Sequence, residues 1–188
     1  MSLKHILLGM LANPASGYDL KKDFEYSLSN FWNAELAQIY PTLGKLEQDG
    51  LISSKVQPSS QGPNRKVYKR LKAGQNELTN WLKQGPIIPK MRIGYAAQFS
   101  FLQELNYEER LEFVYALQRD TKKRLAVLQK FVELYPLPGA EKQSEHFSTK
   151  QEKEAYALQA LVIHHGLLRL QALLDWCDLA IAQMKAIK

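Results

Sequence analysis

Three polar side chains early in the chain have the types and the spacing that a base-reading helix needs. Gln38, Thr42 and Lys45 stand four and three residues apart, so they share one side of an α-helix. Such a helix fits the major groove, where glutamine pairs with adenine, lysine reaches guanine or phosphate, and threonine contacts the thymine methyl group. Tyr40 adds a hydroxyl for the DNA backbone. Taken singly, each side chain is equally well explained as a solvated group on the outer side of a helix.

A second polar group follows on a predicted β-hairpin. Asn64, Arg65 and Lys66 stand at or beside its tip, where basic side chains bind phosphates or enter the neighbouring minor groove. The stretch 55–72 holds six basic residues and no acidic one: Lys55, Arg65, Lys66, Lys69, Arg70 and Lys72. A basic hairpin alone is weak evidence. A basic hairpin after three helices, the third with an outer polar side, predicts a winged helix-turn-helix that binds DNA.

The spacing of apolar residues predicts the elements that carry these groups. Helices are expected at 3–12, from Ser16, from Asn33 and at 72–84, with strands at 51–57 and 65–71. The second helix carries one apolar stripe, made of Leu20, Phe24, Leu28 and Phe31. Because two short strands are marginal alone, the hairpin must pack against the helices.

Local signals mark where these helices begin and end. Ser16 and Asp19 have the spacing of a capping box, and Gly50 is a typical stop for the third helix. Pro41 conflicts with the interior of that helix because it removes a backbone hydrogen bond. The helix therefore either bends at Pro41 or has a regular part that begins later.

The second half of the chain is predicted to be entirely helical. We place the domain boundary at Gly85-Pro86, which gives domains of residues 1–85 and 86–188. Helices are expected at 91–105, from Asn106 to about Tyr135 and from Lys150 to Met184. The fold class is therefore mainly α: a winged helix-turn-helix with a small hairpin wing, then a helical dimerisation domain.

The last predicted helix carries apolar residues on more than one side, so it needs more than one partner. The few other helices of this half offer little cover, which favours self-association. We expect Leu161, Leu168 and Trp176 in the interface of a homodimer.

Composition limits the compartment. The 188 residues carry a net charge of +6 with a pI of about 9.3, which is compatible with a polyanionic partner. Cys177 is the one cysteine, so no intrachain disulfide forms and a reducing compartment is expected. The apolar stretch at the N-terminus is too short to span a bilayer. We expect a cytoplasmic protein without a membrane partner.

Other chemistry finds little support in the residues. The adjacent His164 and His165 point about 100° apart on a helix, and the chain has no HExxH and no cysteine pair. We expect no metal site, no cofactor, no catalytic residue and therefore no enzyme. Cys177 is either an inert buried thiol or a redox switch. The aromatic residues are either ordinary core and interface groups, the commoner use, or the lining of a pocket for a small aromatic effector between the two domains.

The N-terminal motifs resemble those of the PadR family of bacterial transcriptional regulators. They cover roughly residues 3–84 and comprise Gly17-Tyr18-Asp19-Leu20, Leu36 to Leu43, Leu46-Glu47, Gly50-Leu51-Ile52 and Gly62 to Tyr68. Residues 86–188 are similar in helix pattern and length to the C-terminal domain of a branch that includes virulence activators. Where the family often has Tyr-x-Leu-Thr, this chain reads Lys69-Arg70-Leu71-Lys72. The fourth helix therefore lacks its usual threonine cap.

The resemblance implies a homodimer that binds inverted-repeat operators, usually as a repressor. It implies that Tyr18 and Lys21 lie near the DNA backbone, and that the polar third-helix residues and the wing face DNA. A winged helix that binds a protein instead of DNA is the alternative, since fold does not fix function. A small enzyme with an unrecognised site is a third hypothesis, supported only by the aromatic content.

Overall fold

A computed structural model of the chain describes residues 3–27, 36–58, 64–88, 92–137 and 149–187. The chain divides into two compact units, Met1–Lys90 and Met91–Lys188; the sequence places the boundary at Gly85-Pro86. The elements of the first unit, in chain order, are α1 (Leu3–Met10), β1 (Ala15–Ser16), α2 (Gly17–Ser27), α3 (Leu36–Gln48), β2 (Ile52–Gln57), β3 (Arg65–Arg70) and α4 (Lys72–Lys83).

A small antiparallel sheet with strand order β1-β3-β2 connects the helices of this unit. In the wing hairpin, Ser54 lies opposite Tyr68 and Val56 opposite Lys66. β1 pairs with the other edge of β3, with Ala15 opposite Tyr68. The sequence pattern misses β1 because two residues are too few for any alternation to appear. Its pairing joins the start of α2 to the wing.

Buried leucines and aromatic rings from four helices form the core of the first unit. α1 contributes Leu7 and Leu8, α2 contributes Leu20 and Phe24, and the inner side of α3 contributes Ile39, Leu43 and Leu46. The predicted stripe of α2 is thus confirmed for Leu20 and Phe24, whereas Leu28 and Phe31 lie outside the described residues. α4 packs closely at Gly74, where an added Cβ would stand 2.3 Å from the Leu51 carbonyl oxygen.

The predicted helix signals are largely confirmed. The Ser16 amide and hydroxyl donate to the Asp19 carboxylate at 3.0 and 2.6 Å, and the Asp19 amide donates to the Ser16 hydroxyl at 3.2 Å. Gly50 has a φ of +68°, and the amides of Gly50 and Leu51 donate to Glu47 and Leu46. This arrangement is a Schellman motif, which ends α3.

Two further features concern the ends of α3 and α4. α3 runs from Leu36 through Pro41 to Gln48, so its regular part does not begin after Pro41. Pro41 is exposed, and water can therefore bind the Ala37 carbonyl that the missing N–H leaves. Asn33, where the sequence predicts that this helix starts, lies outside the described residues. α4 begins after Leu71, whose side chain makes no capping hydrogen bond, as the missing threonine predicts.

The second unit is helical. It contains α5 (Gly94–Phe99), a single 3₁₀ turn (Leu102–Glu104), α6 (Tyr107–Leu134) and α7 (Lys150–Ala186). Asn106 caps α6 with Glu109 at the predicted start of that helix, and Thr149 caps α7 with Glu152. The two long helices pack along each other through buried residues that include Leu111, Val114, Cys177 and Ile181.

The prediction of one helix over 91–105 is wrong in its length. α5 stops at Phe99, and the Ser100 hydroxyl donates to the Ala96 carbonyl at 3.3 Å. Beyond α5 the backbone changes to the i−3 hydrogen bonds of a 3₁₀ turn, beginning with the Phe101 amide, which donates to the Gln98 carbonyl at 3.0 Å. The chain then turns through the 3₁₀ segment before Asn106 starts α6.

Candidate nucleic-acid interface

The outer side of α3 presents the polar groups that the sequence singles out. Ile39, Leu43 and Leu46 anchor the inner side in the core, which turns Gln38 and Lys45 toward solvent. Thr42 is half-buried, and its hydroxyl donates to the Gln38 carbonyl at 2.7 Å. Its proton is therefore engaged within the helix, and what it can offer a ligand is its methyl group and an oxygen acceptor.

Tyr40 is held at the contact between α3 and the start of α2. Its ring lies against the backbone of Gly17, where an added Cβ would stand 2.5 Å from the Tyr40 Cε1 atom. The ring is nevertheless 48% exposed, and the neighbouring Tyr18 is 65% exposed. Lys21 is half-buried, one turn further along α2. Tyr18 and Tyr40, both predicted to contact the DNA backbone, thus lie beside the junction of α2 and α3.

Lys66 is tied to the end of α3. Its ammonium group donates to the Glu47 carboxylate at 2.8 Å and lies 5.2 Å from the centre of the Tyr68 ring. The other oxygen of Glu47 accepts the Ser54 hydroxyl of β2. The hydrogen bond from Lys66, followed by that from Ser54, holds the pKa of Glu47 below its usual range, and Glu47 raises the pKa of Lys66.

Asn64 and Arg65 stand at the start of β3 and are exposed. Hydrogen bonds from the Ser16 hydroxyl and amide lower the pKa of Asp19, and the nearby charge of Arg65 adds a smaller effect in the same direction. Arg65 therefore stands near the N-terminus of α2 as well as on the wing. Residues 59–63, which include most of the predicted wing tip, lie outside the described residues.

Arg70 has a structural position that the basic hairpin pattern conceals. Its guanidinium donates to the Leu8 carbonyl at 2.7 Å, and burial lowers its pKa. Leu8 belongs to the last turn of α1, whose carbonyls lack partners within the helix. Arg70 thus joins the wing to α1, whereas Lys55, Lys69 and Lys72 are exposed.

Sequence reasoning missed the roles of Glu47, Gly17 and Arg70. Glu47 and Lys66 are 19 residues apart, and Arg70 and Leu8 are 62 residues apart, so no local pattern connects them. Gly17 starts α2 directly after its capping serine. The helix itself would accept another residue there, so the local sequence does not show that the Tyr40 ring needs a glycine at this position.

The predicted dimer residues differ in their surroundings. Leu161 and Leu168 are 55% and 66% exposed on α7. Trp176 is half-buried against Phe99 of the same chain, with ring centres 4.9 Å apart at 65°. The leucines are therefore open to a partner, while Trp176 already holds α5 against α7. The dimer role of all three stays a prediction.

Cys177 is fully buried between α6 and α7. Burial, helped by the charge of Asp178, raises the pKa of its thiol. A raised pKa disfavours the nucleophilic thiolate, so this environment favours the inert interpretation over the redox switch.

Comparison with known families settles the class of the chain. Residues 6–80 match the transcriptional regulator PadR-like family, and residues 91–185 match the virulence activator alpha C-terminal family. The chain belongs to the PadR-like family of transcriptional regulators. The winged helix-turn-helix and the helical second half are therefore the two parts of one known kind of regulator.

Relatives include regulators of known structure. The negative transcriptional regulator PadR of Bacillus subtilis is 36% identical over 89 residues, a match that spans 49% of its length. The crystal structure of that PadR in complex with operator DNA matches with a TM-score of 0.81, at 27% identity, over 97% of this chain and 98% of that one. PadR has also been solved with p-coumaric acid, with a TM-score of 0.74, at 28% identity, over 97% and 95% of the chains.

A second structural relative is the virulence activator AphA of Vibrio cholerae. It matches over the whole of both chains with a TM-score of 0.74 at 26% identity. A probable transcriptional regulator of Mycobacterium tuberculosis is 29% identical over 184 residues, which is 95% of each chain. The family relationship thus extends through both units of the chain.

Proposed function

We propose that this PadR-like protein is a homodimeric repressor that binds an inverted-repeat operator through α3 and the wing. The observation that carries the proposal is the exposure of Gln38 and Lys45 on a helix whose other side is fixed in the core. A helix anchored in this way offers its polar side to the major groove. The solved complex of the relative PadR with operator DNA supports the same use of the fold.

The wing supplies the second contact. Arg65 and Asn64 are exposed at the end of β3, which also pairs with β1, the two residues directly before α2. The charge of Arg65 acts on Asp19 at the N-terminus of α2, and from there the guanidinium can bind a phosphate or enter the adjoining minor groove. Tyr18 and Tyr40 supply hydroxyls for the backbone of the same half-site.

Dimerisation is supported by the exposed apolar residues of α7. Leu158, Leu161 and Leu168 are each more than half exposed, so the residues that the structure describes leave this apolar side of α7 uncovered. By length and composition alone α7 could also cross a membrane, but core helices of soluble proteins meet that test too. In a regulator dimer the two α3 helices would stand roughly 34 Å apart, one turn of DNA.

Repression and a cytoplasmic location complete the proposal. The relative in Bacillus subtilis is named a negative regulator, which supports repression as the sign of control. An operator-binding protein must share a compartment with the chromosome, and the single buried thiol suits a reducing one.

Charge reversal on each predicted contact tests the DNA-binding role. Lys45→Glu and Arg65→Glu should each weaken binding to an operator duplex, obtained by selection from random DNA, at least about tenfold. Each variant loses one phosphate or base contact per protomer and adds one charge of the same sign as DNA. Lys130→Glu on α6 changes the net charge equally and serves as the control. Equal weakening by all three variants would contradict a specific role for α3 and the wing and would favour a protein-binding winged helix.

We further propose that a small aromatic acid acts as effector in the second unit. A depression of about 370 Å³ between α5 and α7 is lined by Tyr95, Phe99, Trp176 and Arg169, among others. Three aromatic rings suit a planar ligand, and the guanidinium suits a carboxylate. The complex of the relative PadR with p-coumaric acid supports this chemistry. A pocket between the two domains, which the sequence suggests, stays a prediction.

Tryptophan fluorescence tests the effector site with p-coumaric acid as the probe. The acid should quench the wild-type emission, and the affinity should fall about tenfold in Arg169→Met because the partner of the carboxylate is lost. Lys153→Met, at the start of α7, is the control. Equal affinity in Arg169→Met and in the wild type would place any binding elsewhere.

A further inference from the structure

We propose that Glu47 is a positioning residue that fixes the wing against the end of α3, and that Lys66 serves this contact instead of binding a DNA phosphate. The proposal rests on the proposed DNA-binding function. It changes the role of Lys66, which the sequence groups with Asn64 and Arg65 as a wing contact for DNA.

The geometry joins three elements at one carboxylate. Glu47 lies in the last turn of α3, Ser54 is on β2 and Lys66 is on β3. One carboxylate oxygen accepts the Ser54 hydroxyl, and the other accepts the Lys66 ammonium at 2.8 Å. Since each oxygen binds a different strand, rotation of the hairpin relative to α3 would break at least one bond.

The surroundings of Lys66 strengthen this assignment. The Tyr68 ring beneath its ammonium group is 4% exposed, at a centroid distance of 5.2 Å, within the range of a cation–π contact. The Lys66 side chain is 48% exposed and that of Glu47 32%, so the pair lies at the surface but is held from two sides. The Lys66–Glu47 ion pair carries no net charge, so it attracts a phosphate much less than an unpaired cation does. Arg65, one residue earlier, is exposed and is the cation beside the wing tip that we assign to DNA.

The consequence for recognition is geometric. The wing and α3 must contact one half-site together, so their separation selects among DNA sequences and shapes. Loss of the Glu47 contacts should therefore reduce the ratio of specific to non-specific affinity, while general attraction to DNA persists. The change should be about twofold to fivefold for Glu47→Gln, the range expected of an exposed ion pair. It should be larger for Glu47→Ala, which also loses the acceptor for Ser54.

The salt dependence of binding separates positioning from phosphate contact. The double variant Glu47→Gln/Lys66→Met replaces two opposite charges with two uncharged side chains, so the net charge of the protein is unchanged. We expect the slope of log affinity against log salt to equal that of the wild type. Arg65→Met is the reference and should make the slope for the dimer shallower by about 1.8, because each of the two protomers loses one phosphate contact worth about 0.9. A slope shallower by about 1.8 in the double variant would overturn the assignment of Lys66.

A measurement without DNA tests the contact itself. In an NMR titration of the full-length protein, the Glu47 carboxyl should titrate below its usual range, and its pKa should rise in Lys66→Met because the largest cause of the lowering is removed. If the Glu47 carboxyl of the wild type titrates in its usual range, the proposal is overturned, whatever the DNA-binding measurements give. If the titration behaves as expected but the wild type binds no duplex, the proposed function fails, and the positioning role fails with it.

Discussion

The Tyr40 ring of α3 packs on the bare backbone of Gly17, the first residue of α2. A Cβ at position 17 would stand 2.5 Å from Cε1 and 2.8 Å from Cζ of that ring. A side chain at position 17 would overlap the Tyr40 ring. The absence of one therefore allows the ring, and with it the Tyr40 hydroxyl, to lie where it does. This contact relates the N-terminus of α2 to the half of α3 that we propose faces DNA.

Gly17→Ala should displace the Tyr40 ring and weaken operator binding a few-fold while the fold persists. The ring is half exposed and can move. Gly17 does not have a positive φ, and Gly→Ala at such a position stabilises by about 0.4–1 kcal/mol because it restricts the unfolded chain. We therefore expect an unchanged or slightly higher melting temperature together with lower affinity. Gly9→Ala is the control, since nothing lies within 4 Å of an added Cβ there. Unchanged affinity in Gly17→Ala would mean that the position of Tyr40 has no part in binding.

Arg70→Met should destabilise the first unit by about 1 to 3 kcal/mol, because the Leu8 carbonyl loses a charged donor in a partly buried place. Lys69→Met, at the exposed neighbouring position, should change the free energy of unfolding by less than about 0.5 kcal/mol. Urea unfolding measures both. Two variants of equal stability would show that the bond from Arg70 to α1 contributes nothing measurable.

Asp19 should make the stability of the first unit depend on pH. Hydrogen bonds from Ser16 lower its folded pKa, so its contribution is complete above the unfolded pKa of about 4 and is lost as the pH falls through the lower folded pKa. We expect Asp19→Asn to be less stable than the wild type by about 1 kcal/mol at pH 7. The difference should shrink below about pH 4. Asp49→Asn is the exposed control, and a difference independent of pH would contradict the account.

Leu168→Asp should weaken both dimerisation and operator binding. A carboxylate in an apolar contact has no partner to replace its hydration, and the dissociation constant of the dimer should rise at least about tenfold. Gln151→Asp, an exposed position near the start of α7, adds the same charge as a control. Light scattering that finds the wild type and Leu168→Asp equally dimeric would remove Leu168 from the interface.

The elements of this fold were predictable wherever a local pattern specifies them. The Ser16–Asp19 box, the Gly50 stop, the Asn106 cap and the inward stripe of α3 each depend on residues within one or two helical turns. For the same reason the exposure of Gln38 and Lys45 follows directly from the helical spacing of Ile39, Leu43 and Leu46.

The features that resisted prediction join residues far apart in the chain. β1 is defined only by its pairing with β3. The six basic residues of 55–72 look equivalent in sequence, yet Arg70 binds a carbonyl of α1 and Lys66 binds Glu47. A charge run therefore locates a basic surface, but only the tertiary contacts tell which of its cations are available to a ligand.

Selection from a random pool of duplex DNA, followed by titration of the enriched sequence at several salt concentrations, tests the central claim most directly. The account predicts an inverted repeat whose half-sites are centred about one turn apart, roughly 34 Å. It also predicts two protomers per duplex and an affinity that falls steeply as salt rises. Enrichment of no sequence, with only weak salt-sensitive binding in the presence and absence of p-coumaric acid, would contradict it.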